Sequence, residues 1–152
     1  MLGKAPFIFF LMAHWLYQHK MRRIAMVLTL LNRMLFSCFI GPGAQIGKQV
    51  KLGYGGLGVV IHNDAVIHDN VHIGSGVTIG GRSGLKDVPV VFENCVIGAG
   101  AKILGPITIG KNSVIGANAV VIKDVPENSI AAGIPAKIIR SGIDIETYHN
   151  QM

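Results

Sequence analysis

Residues 61–79 read IHNDAVIHDNVHIGSGVTI, and residues 97–121 read IGAGAKILGPITIGKNSVIGANAVV. An aliphatic residue returns at every sixth position through both stretches and through the chain between them. The full series is Ile61, Ile67, Ile73, Ile79, Leu85, Val91, Ile97, Ile103, Ile109, Ile115 and Val121. A helix repeats every 3.6 residues and a simple strand every two, so neither explains a strict period of six. The pattern predicts a three-sided coil with six residues on each side.

A second register supports this interpretation. Four places after the aliphatic residue, most repeats carry a small or β-branched residue: Val71, Val77, Ala101, Ser113 and Ala119. Glycine often follows the aliphatic residue directly, as at Gly74, Gly98 and Gly116, and it permits tight corners. Such self-similarity is typical of a solenoid. We therefore predict a mainly β fold, a parallel β-helix of hexapeptide repeats over residues 38–140.

Two stretches interrupt the repeat. The step from Leu52 to Ile61 is nine residues, so three extra residues lie within 53–58. Residues 80–89 keep the six-residue count but lose the corner glycines and the small residues. This second stretch predicts a loop that protrudes from the coil. Loops on a rigid scaffold are common places for binding and catalytic residues.

The flanks differ in composition from the repeats, with an N-terminal α-helical segment expected over residues 1–37 and a polar tail over 141–152. Residues 5–13 are continuously apolar, and Pro6 suits the first turn of a helix. From Met21 onward, one helical face collects apolar residues: Ile24, Val27, Leu28, Leu31, Met34 and Leu35. Both runs fall short of the ~18–20 residues needed to span a bilayer. The helices are expected to pack on the solenoid, on a neighbouring subunit, or on a membrane surface.

Charge is concentrated at the N-terminal end. Of the 152 residues, 50% are hydrophobic and 14% are charged, which excludes a disordered chain. Seven basic residues and no acidic one precede Asp64, although the net charge is only +6. This excess suits anionic lipid or a polyphosphate cofactor, and no nucleic-acid motif accompanies it. Cys38 and Cys95 lack a paired framework, so we expect reduced thiols and a cytoplasmic protein.

Three segments together resemble the serine acetyltransferase family of hexapeptide-repeat acyltransferases: residues 77–81, 97–105 and 132–137. The resemblance extends over residues 38–139. It implies a left-handed β-helix, and a homotrimer or a dimer of trimers with active sites between subunits. It also implies acetyl-CoA lying along a groove as co-substrate, a small-molecule acceptor and no metal.

The resemblance also points to residues for the cofactor. Two turns would expose backbone N–H and C=O groups to an extended pantetheine arm: Gly98, Ala99 and Gly100, then Gly116 and Ala117. Lys102, Lys123 and Lys137 would meet its phosphates as point charges, and Ile134 and Pro135 belong to the closing motif that carries the resemblance. The alternative is that these glycines only turn corners and these lysines only solubilise.

The general base departs from the family pattern. A histidine typical of the family is replaced by Tyr54, and its acidic partner by Phe39. A tyrosine with a pKa near ~10 is a poor base at neutral pH. His62 is the predicted substitute, with Tyr54 as a hydrogen-bonding neighbour. The alternative for His62 is a solvated corner histidine.

The acceptor is less defined. Arg82, in the predicted loop, is a candidate to hold a carboxylate, and His72 is a candidate substrate contact across a subunit boundary. The family's Arg-His pair before a proline corresponds here to Asp87 and Val88. We expect an acetyl-CoA-dependent O-acetyltransferase acting on L-serine or a related small acceptor.

Three other functions stay open. One is O-acetylation of a sugar in surface polysaccharide synthesis, which short relatives of this shape often carry out. A second is a catalytically silent scaffold that binds CoA or a partner protein. The third, a zinc site made by three histidines as in carbonic-anhydrase-like relatives, is not expected, because no histidine occupies residues 97–99.

Overall fold

The structure, a computed structural model, describes residues 5–149. Helices α1 (Ala5–Gln18) and α2 (Arg22–Phe36) come first, followed by fifteen strands and the short helix α3 (Glu146–His149). The predicted helical segment is thus confirmed over the described residues. The outermost parts of that segment and of the tail, residues 1–4 and 150–152, lie outside this range.

The strands are short and wind around three faces. In chain order they are β1 (Phe39–Ile40), β2 (Gln45–Ile46), β3 (Lys51–Leu52), β4 (Val60–Ile61), β5 (Val66–Ile67), β6 (His72–Ile73), β7 (Thr78–Gly80), β8 (Val90–Val91), β9 (Val96–Ile97), β10 (Lys102–Leu104), β11 (Thr108–Ile109), β12 (Val114–Ile115), β13 (Val120–Val121), β14 (Ser129–Gly133) and β15 (Ala136–Ser141). Face A is the sheet β1-β4-β7-β10-β13, face B is β2-β5-β8-β11, and face C is β3-β6-β9-β12-β14-β15. All pairs are parallel except β14 with β15. This arrangement confirms the predicted three-sided β-helix.

The register gives the length of each coil. Val60 pairs with Thr78, a separation of 18 residues, as the hexapeptide repeat requires. Phe39 pairs with Val60, 21 residues away, so the first coil holds three extra residues. Thr78 pairs with Lys102, 24 residues away, so the third coil holds six extra residues. The predicted loop therefore inserts one whole repeat length, and this is why it leaves the six-residue count unbroken.

The core is a column of aliphatic side chains along the coil axis. Ile61, Ile79 and Ile103 on face A are fully buried, and Ile67 and Ile73 on the other faces are 1% exposed. The small or β-branched residues of the second register are also fully buried: Val71, Val77, Ala101, Ser113 and Ala119. Burial of each large aliphatic side chain stabilises the fold by about 1.5–3 kcal/mol. The hexapeptide pattern is therefore the pattern of this column.

Helix α1 packs on the first coils, and α2 packs on α1. Phe10 is buried against the aliphatic column, and Nδ1 of His14 donates to the carbonyl of Pro42 at 2.9 Å. Phe9 of α1 meets Phe36 of α2 edge-on at 5.7 Å. Within residues 5–149, no helix is long and apolar enough to cross a membrane.

The packing of α2 is unexpected. Its buried residues are Ala25, Thr29 and Asn32, whereas Val27 and Met34 of the predicted apolar face are exposed. The amphipathic helix is present as predicted, but its small and polar side contacts the protein. Its apolar side is turned outward.

Candidate active site

Two edges of the solenoid collect the predicted site residues. The glycine corner is where the chain passes from face C to face A, at residues 53–59, 74–77, 98–101 and 116–119. The loop corner is where it passes from face A to face B, at residues 41–44, 62–65, 81–89 and 105–107. Each corner repeats once per coil, so residues that are distant in sequence are stacked on one another.

A pocket of about 590 Å³ lies beside the glycine corner. Its lining comes from the first three coils: Lys51, Leu52, Gly53, Tyr54, His72, Ile73, Gly74, Ser75, Ile97, Gly98 and Ala99. Four residues predicted for three different roles therefore meet at one place, namely Tyr54, His72, Gly98 and Ala99. Lys51 and Ser75 also line it, and the sequence analysis did not select them.

Tyr54 stands on the three-residue insertion. It lies in the turn Gly53–Gly56 with φ 50° and ψ 35°, a left-handed conformation that side chains rarely adopt. Its side chain is exposed, at 91% for the whole residue. The insertion thus places the Tyr54 ring at the solvent-exposed rim of the pocket, where its hydroxyl is accessible to a ligand.

His72 lies within the pocket wall. It occupies the outward position of β6, paired with Lys51 on one side and Val96 on the other. Although a position facing away from the core is normally exposed, His72 is only 7% exposed. His72 shares this pocket with Tyr54 of the same chain, and its contact with a substrate stays a prediction.

The turns of the glycine corner are packed backbone against backbone. A Cβ atom added to Gly98 would lie 2.5 Å from the backbone nitrogen of Ala117, and one added to Gly74 would lie 2.6 Å from that of Ala99. Gly100 has φ 73°, which also favours glycine. These glycines are thus required for stacking, and Gly116 and Ala117 continue the same edge on the next coil. The corner also provides a continuous line of small residues and main-chain groups.

The predicted lysines separate into two groups. Nζ of Lys102 donates to the carbonyl of Gly76 at 2.6 Å, so this ammonium group joins two coils of the glycine corner. Lys123 and Lys137 instead line a second pocket of about 320 Å³ on the last coil, together with Pro135. Ile134, in the turn between β14 and β15, is exposed beside it. Lys123 and Lys137 therefore lie at one pocket, which Asp124 also lines.

His62 lies on the loop corner and is half-exposed. The backbone N–H of Asp64 donates to Nδ1 of His62 at 3.2 Å, and a carboxylate oxygen of Asp64 is 3.8 Å from the same atom. The chain thus contains a histidine with a carboxylate beside its Nδ1, although the family's usual pair is absent. Sequence reasoning missed Asp64, and the available signal was an acidic residue two positions after a corner histidine.

The structure does not bring His62 and Tyr54 together within one chain. They lie at opposite ends of the segment that contains β4, one on each corner. Arg82 is on the same corner as His62, exposed in the protruding loop, with its stem next to Gly105. The predicted site is therefore divided between two edges of the protomer.

The buried thiols do not contribute a nucleophile. Burial raises the pKa of Cys38 to about 11. Burial also raises the pKa of Cys95 to about 12, against a smaller opposing effect of its hydrogen bond with Ser113. Both groups are therefore protonated at neutral pH. Within the described part of the chain, no group of three His, Cys, Asp or Glu side chains is placed to hold a metal ion.

Comparison with known proteins agrees with this architecture. The family model described as bacterial transferase hexapeptide (six repeats) matches residues 89–123. A serine acetyltransferase from Synechococcus elongatus is 44% identical over 145 residues, covering 92% of this chain and 59% of that protein.

Two solved structures share the fold. The serine acetyltransferase from Brucella abortus in complex with coenzyme A is 37% identical, with a TM-score of 0.89, over 95% of this chain and 58% of that one. The soybean serine acetyltransferase complexed with serine is 35% identical, with a TM-score of 0.86, over 91% and 58% of the two chains. The present chain thus spans somewhat more than half the length of these relatives.

The three-sided solenoid and its stacked glycine corner define a hexapeptide-repeat protein of the bacterial transferase class. Within that class, the chain belongs to the hexapeptide-repeat family that includes the serine acetyltransferases.

Proposed function

We propose that the protein is an acetyl-CoA-dependent O-acetyltransferase that transfers acetyl to the hydroxyl of L-serine or a related small acceptor. The observation that carries this proposal is the pocket that joins Tyr54 and His72 to the Gly98–Ala99 turn. It belongs to a fold found at 37% identity in a protein bound to coenzyme A and at 35% identity in one bound to serine. The pocket is the place for the reacting end of the thioester.

The groove has a length suited to an extended carrier. From the Tyr54 turn on the first coil to the turn at Ile134 on the fifth, four coil steps of ~4.8 Å make roughly 19 Å. The reacting end is proposed to lie in the pocket at Tyr54, and the arm to pass Gly98 and Ala99 and then Gly116 and Ala117. The phosphates would then meet Lys123 and Lys137 at the last coil.

The division of the site between two corners supports a homotrimer. In a ring built from head-to-tail contacts, one edge of a protomer meets a different edge of its neighbour. His62 and Arg82 of one protomer are proposed to face the glycine-corner pocket of the next. This assembly would complete a site that one chain holds only in part.

His62 is the proposed general base. For Nε2 to accept the proton of the acceptor hydroxyl, the ring would give up the hydrogen bond that Nδ1 accepts from the Asp64 backbone N–H and carry its proton on Nδ1, towards the Asp64 carboxylate 3.8 Å away. The hydroxyl oxygen then attacks the thioester carbonyl, the C–S bond breaks, and the proton passes to the sulfur of the departing CoA. Backbone N–H groups of the glycine corner would stabilise the oxyanion. The products are the O-acetyl ester and free CoA.

A sugar hydroxyl is the second candidate acceptor, and one observation favours it. The loop carries Asp87 and Val88 directly before Pro89, in place of the family's Arg-His pair, and its cations are Arg82 and Lys86. Arg82 is the only cation proposed for that role. Serine requires such a partner, whereas a neutral sugar hydroxyl does not.

The test measures thiol release from acetyl-CoA with L-serine and, separately, with nucleotide sugars. His62→Ala is expected to lower kcat by about 10²–10⁴-fold with the preferred acceptor. Asp64→Asn should have a smaller effect in the same direction. His68→Ala is the matched control. His68 lies on the third corner, where the chain passes from face B to face C, and its ring is stacked on Phe92 at 4.9 Å.

Unchanged turnover in His62→Ala would remove His62 from the mechanism. Absence of turnover by the parent protein with every hydroxyl acceptor, with CoA binding retained, would instead indicate the silent scaffold.

A further inference from the structure

The two N-terminal helices present large apolar side chains to solvent. Met12 and Trp15 of α1 are exposed at 53% and 58%, and Met34 and Leu35 of α2 at 80% and 64%. On each helix these residues lie outside the buried side, and together they form exposed apolar stripes. We call α1, α2 and the turn between them the helical hairpin. Exposed stripes of this kind on two adjacent helices indicate a contact surface.

The buried side of α2 carries small and polar residues, beside the apolar contact of Phe9 with Phe36. The buried side of α2 consists of Ala25, Thr29 and Asn32. Oγ1 of Thr29 donates to the carbonyl of Ala25 at 3.0 Å, and Nδ2 of Asn32 donates to the carbonyl of Pro6 at 3.1 Å. The Oδ1 atom of Asn32 is buried without a hydrogen-bond partner among residues 5–149. Small contact residues, polar side chains between the helices and an apolar exterior are typical of helices that face hydrocarbon.

The charge of the helical hairpin favours a lipid surface, rather than a second copy of the protein, as the partner that covers its apolar stripes. Lys20, Arg22 and Arg23 cluster at the turn, and Arg33 follows on α2, while no acidic residue occurs before Asp64. A symmetric contact between two hairpins would bring these like charges together without compensation. Anionic headgroups would neutralise them, with a favourable contribution from each basic residue near the surface.

We propose that the helical hairpin anchors the protein in the plane of an anionic lipid membrane. Helices of 14 and 15 residues are roughly 21–23 Å long at 1.5 Å per residue, short of the ~30 Å hydrocarbon core. They would therefore lie in the interface, with the apolar stripes at the acyl boundary and the basic turn among the headgroups. The solenoid and its groove remain on the aqueous side.

The chain of 152 residues is tested by flotation with vesicles of phosphatidylcholine alone and with added phosphatidylglycerol. Trp15 is the single tryptophan of the chain, so its fluorescence reports the hairpin directly. We expect binding to the anionic vesicles, a blue shift of Trp15 and quenching by brominated acyl chains. Binding should weaken as salt is raised, because the headgroup attraction is screened.

Variants separate the apolar and the basic contributions. Met34→Ser with Leu35→Ser should abolish flotation, whereas Ile139→Ser, which removes an equally exposed apolar side chain from β15, should not change it. Arg22→Gln with Arg23→Gln should lower partitioning to anionic vesicles on the order of tenfold.

Two outcomes overturn the proposal. One is that the parent protein ignores both kinds of vesicle. The other is that Met34→Ser with Leu35→Ser leaves flotation intact. If the parent ignores vesicles and this double variant also reduces the mass in sedimentation velocity, a second copy is the occupant.

Discussion

At the scale of single residues, an asparagine ladder holds the third corner of the solenoid. Asn70, Asn94, Asn112 and Asn128 occupy equivalent positions where the chain passes from face B to face C, all with φ between 54° and 59°. Each side chain except the last donates an amide hydrogen bond to the next oxygen at 3.0 Å. Asparagine tolerates this left-handed conformation better than most residues, and here it also connects the coils.

Asn112→Ala tests how much the ladder stabilises the fold. It removes the bond received from Asn94 and the bond donated to Asn128, each contributing about 1 kcal/mol. Alanine in the left-handed conformation costs about 1–2 kcal/mol more. Urea unfolding followed by circular dichroism should therefore show a loss of about 3 kcal/mol. Asn112→Gly keeps the backbone conformation and should lose only the hydrogen-bond part, so equal losses in the two variants would contradict this account.

At the scale of elements, the protruding loop can be separated from the solenoid. From Ile79 to Val91 the chain takes twelve residues where Ile61 to Ile67 takes six, although both steps connect face A to face B. Deleting residues 82–87 would leave six and keep every later aliphatic residue in its inward register. We expect a folded protein with a similar melting temperature, because the deleted residues are exposed and the β7–β10 and β5–β8 pairs are retained.

The same deletion should abolish acetyl transfer to the acceptor while CoA still binds, since Arg82 is removed and the glycine corner is untouched. Thiol release and calorimetric CoA binding measure the two effects. Deletion of five residues is the control, because it shifts the register and should prevent folding. Full activity in the six-residue deletion would show that the loop takes no part in acceptor binding.

Some elements follow from local sequence periodicity and others depend on contacts between residues that are distant in the sequence. Only the first kind is predictable from the sequence. The aliphatic column was predictable since burial at every sixth residue is a property of the repeat itself. The outward apolar side of α2 was not, because an amphipathic pattern shows two unlike sides without showing which one meets the protein. On the inward side, Asn32 donates a hydrogen bond to the carbonyl of Pro6, a residue 26 positions away. Contacts of that kind have no signal in local periodicity.

The site shows the same contrast. The Gly98–Ala99 turn was predictable from the repeat and the family resemblance. The meeting of Tyr54 with His72 depends on the stacking of the first two coils, which the three-residue insertion obscures in the sequence. The separation of His62 from Tyr54 is likewise not apparent from the sequence. Both follow a strand residue of the repeat by one or two positions, but they lie on different corners of the solenoid.

At the scale of the whole molecule, the proposed division of the site between two corners predicts that catalysis requires an oligomer. The loop corner carries His62 with Asp64, and the glycine corner carries the pocket with His72. If these corners face each other between protomers, a single chain is inactive and a closed ring has as many sites as interfaces. If each corner functions alone, the oligomeric state should not affect turnover.

Mixing two inactive variants distinguishes these possibilities. His62→Ala and His72→Ala are each expected to lose most activity, the first through the base and the second through the substrate contact. When equal amounts of the two are refolded together, random assembly of head-to-tail interfaces gives about a quarter of sites with both native histidines. Thiol release should therefore recover to about a quarter of the parent rate. Recovery requires that the two histidines come from different protomers, because no single chain in the mixture has both. Absence of recovery, with mixed oligomers demonstrated by mass spectrometry, would show that both histidines must come from the same chain and would contradict a site shared between protomers.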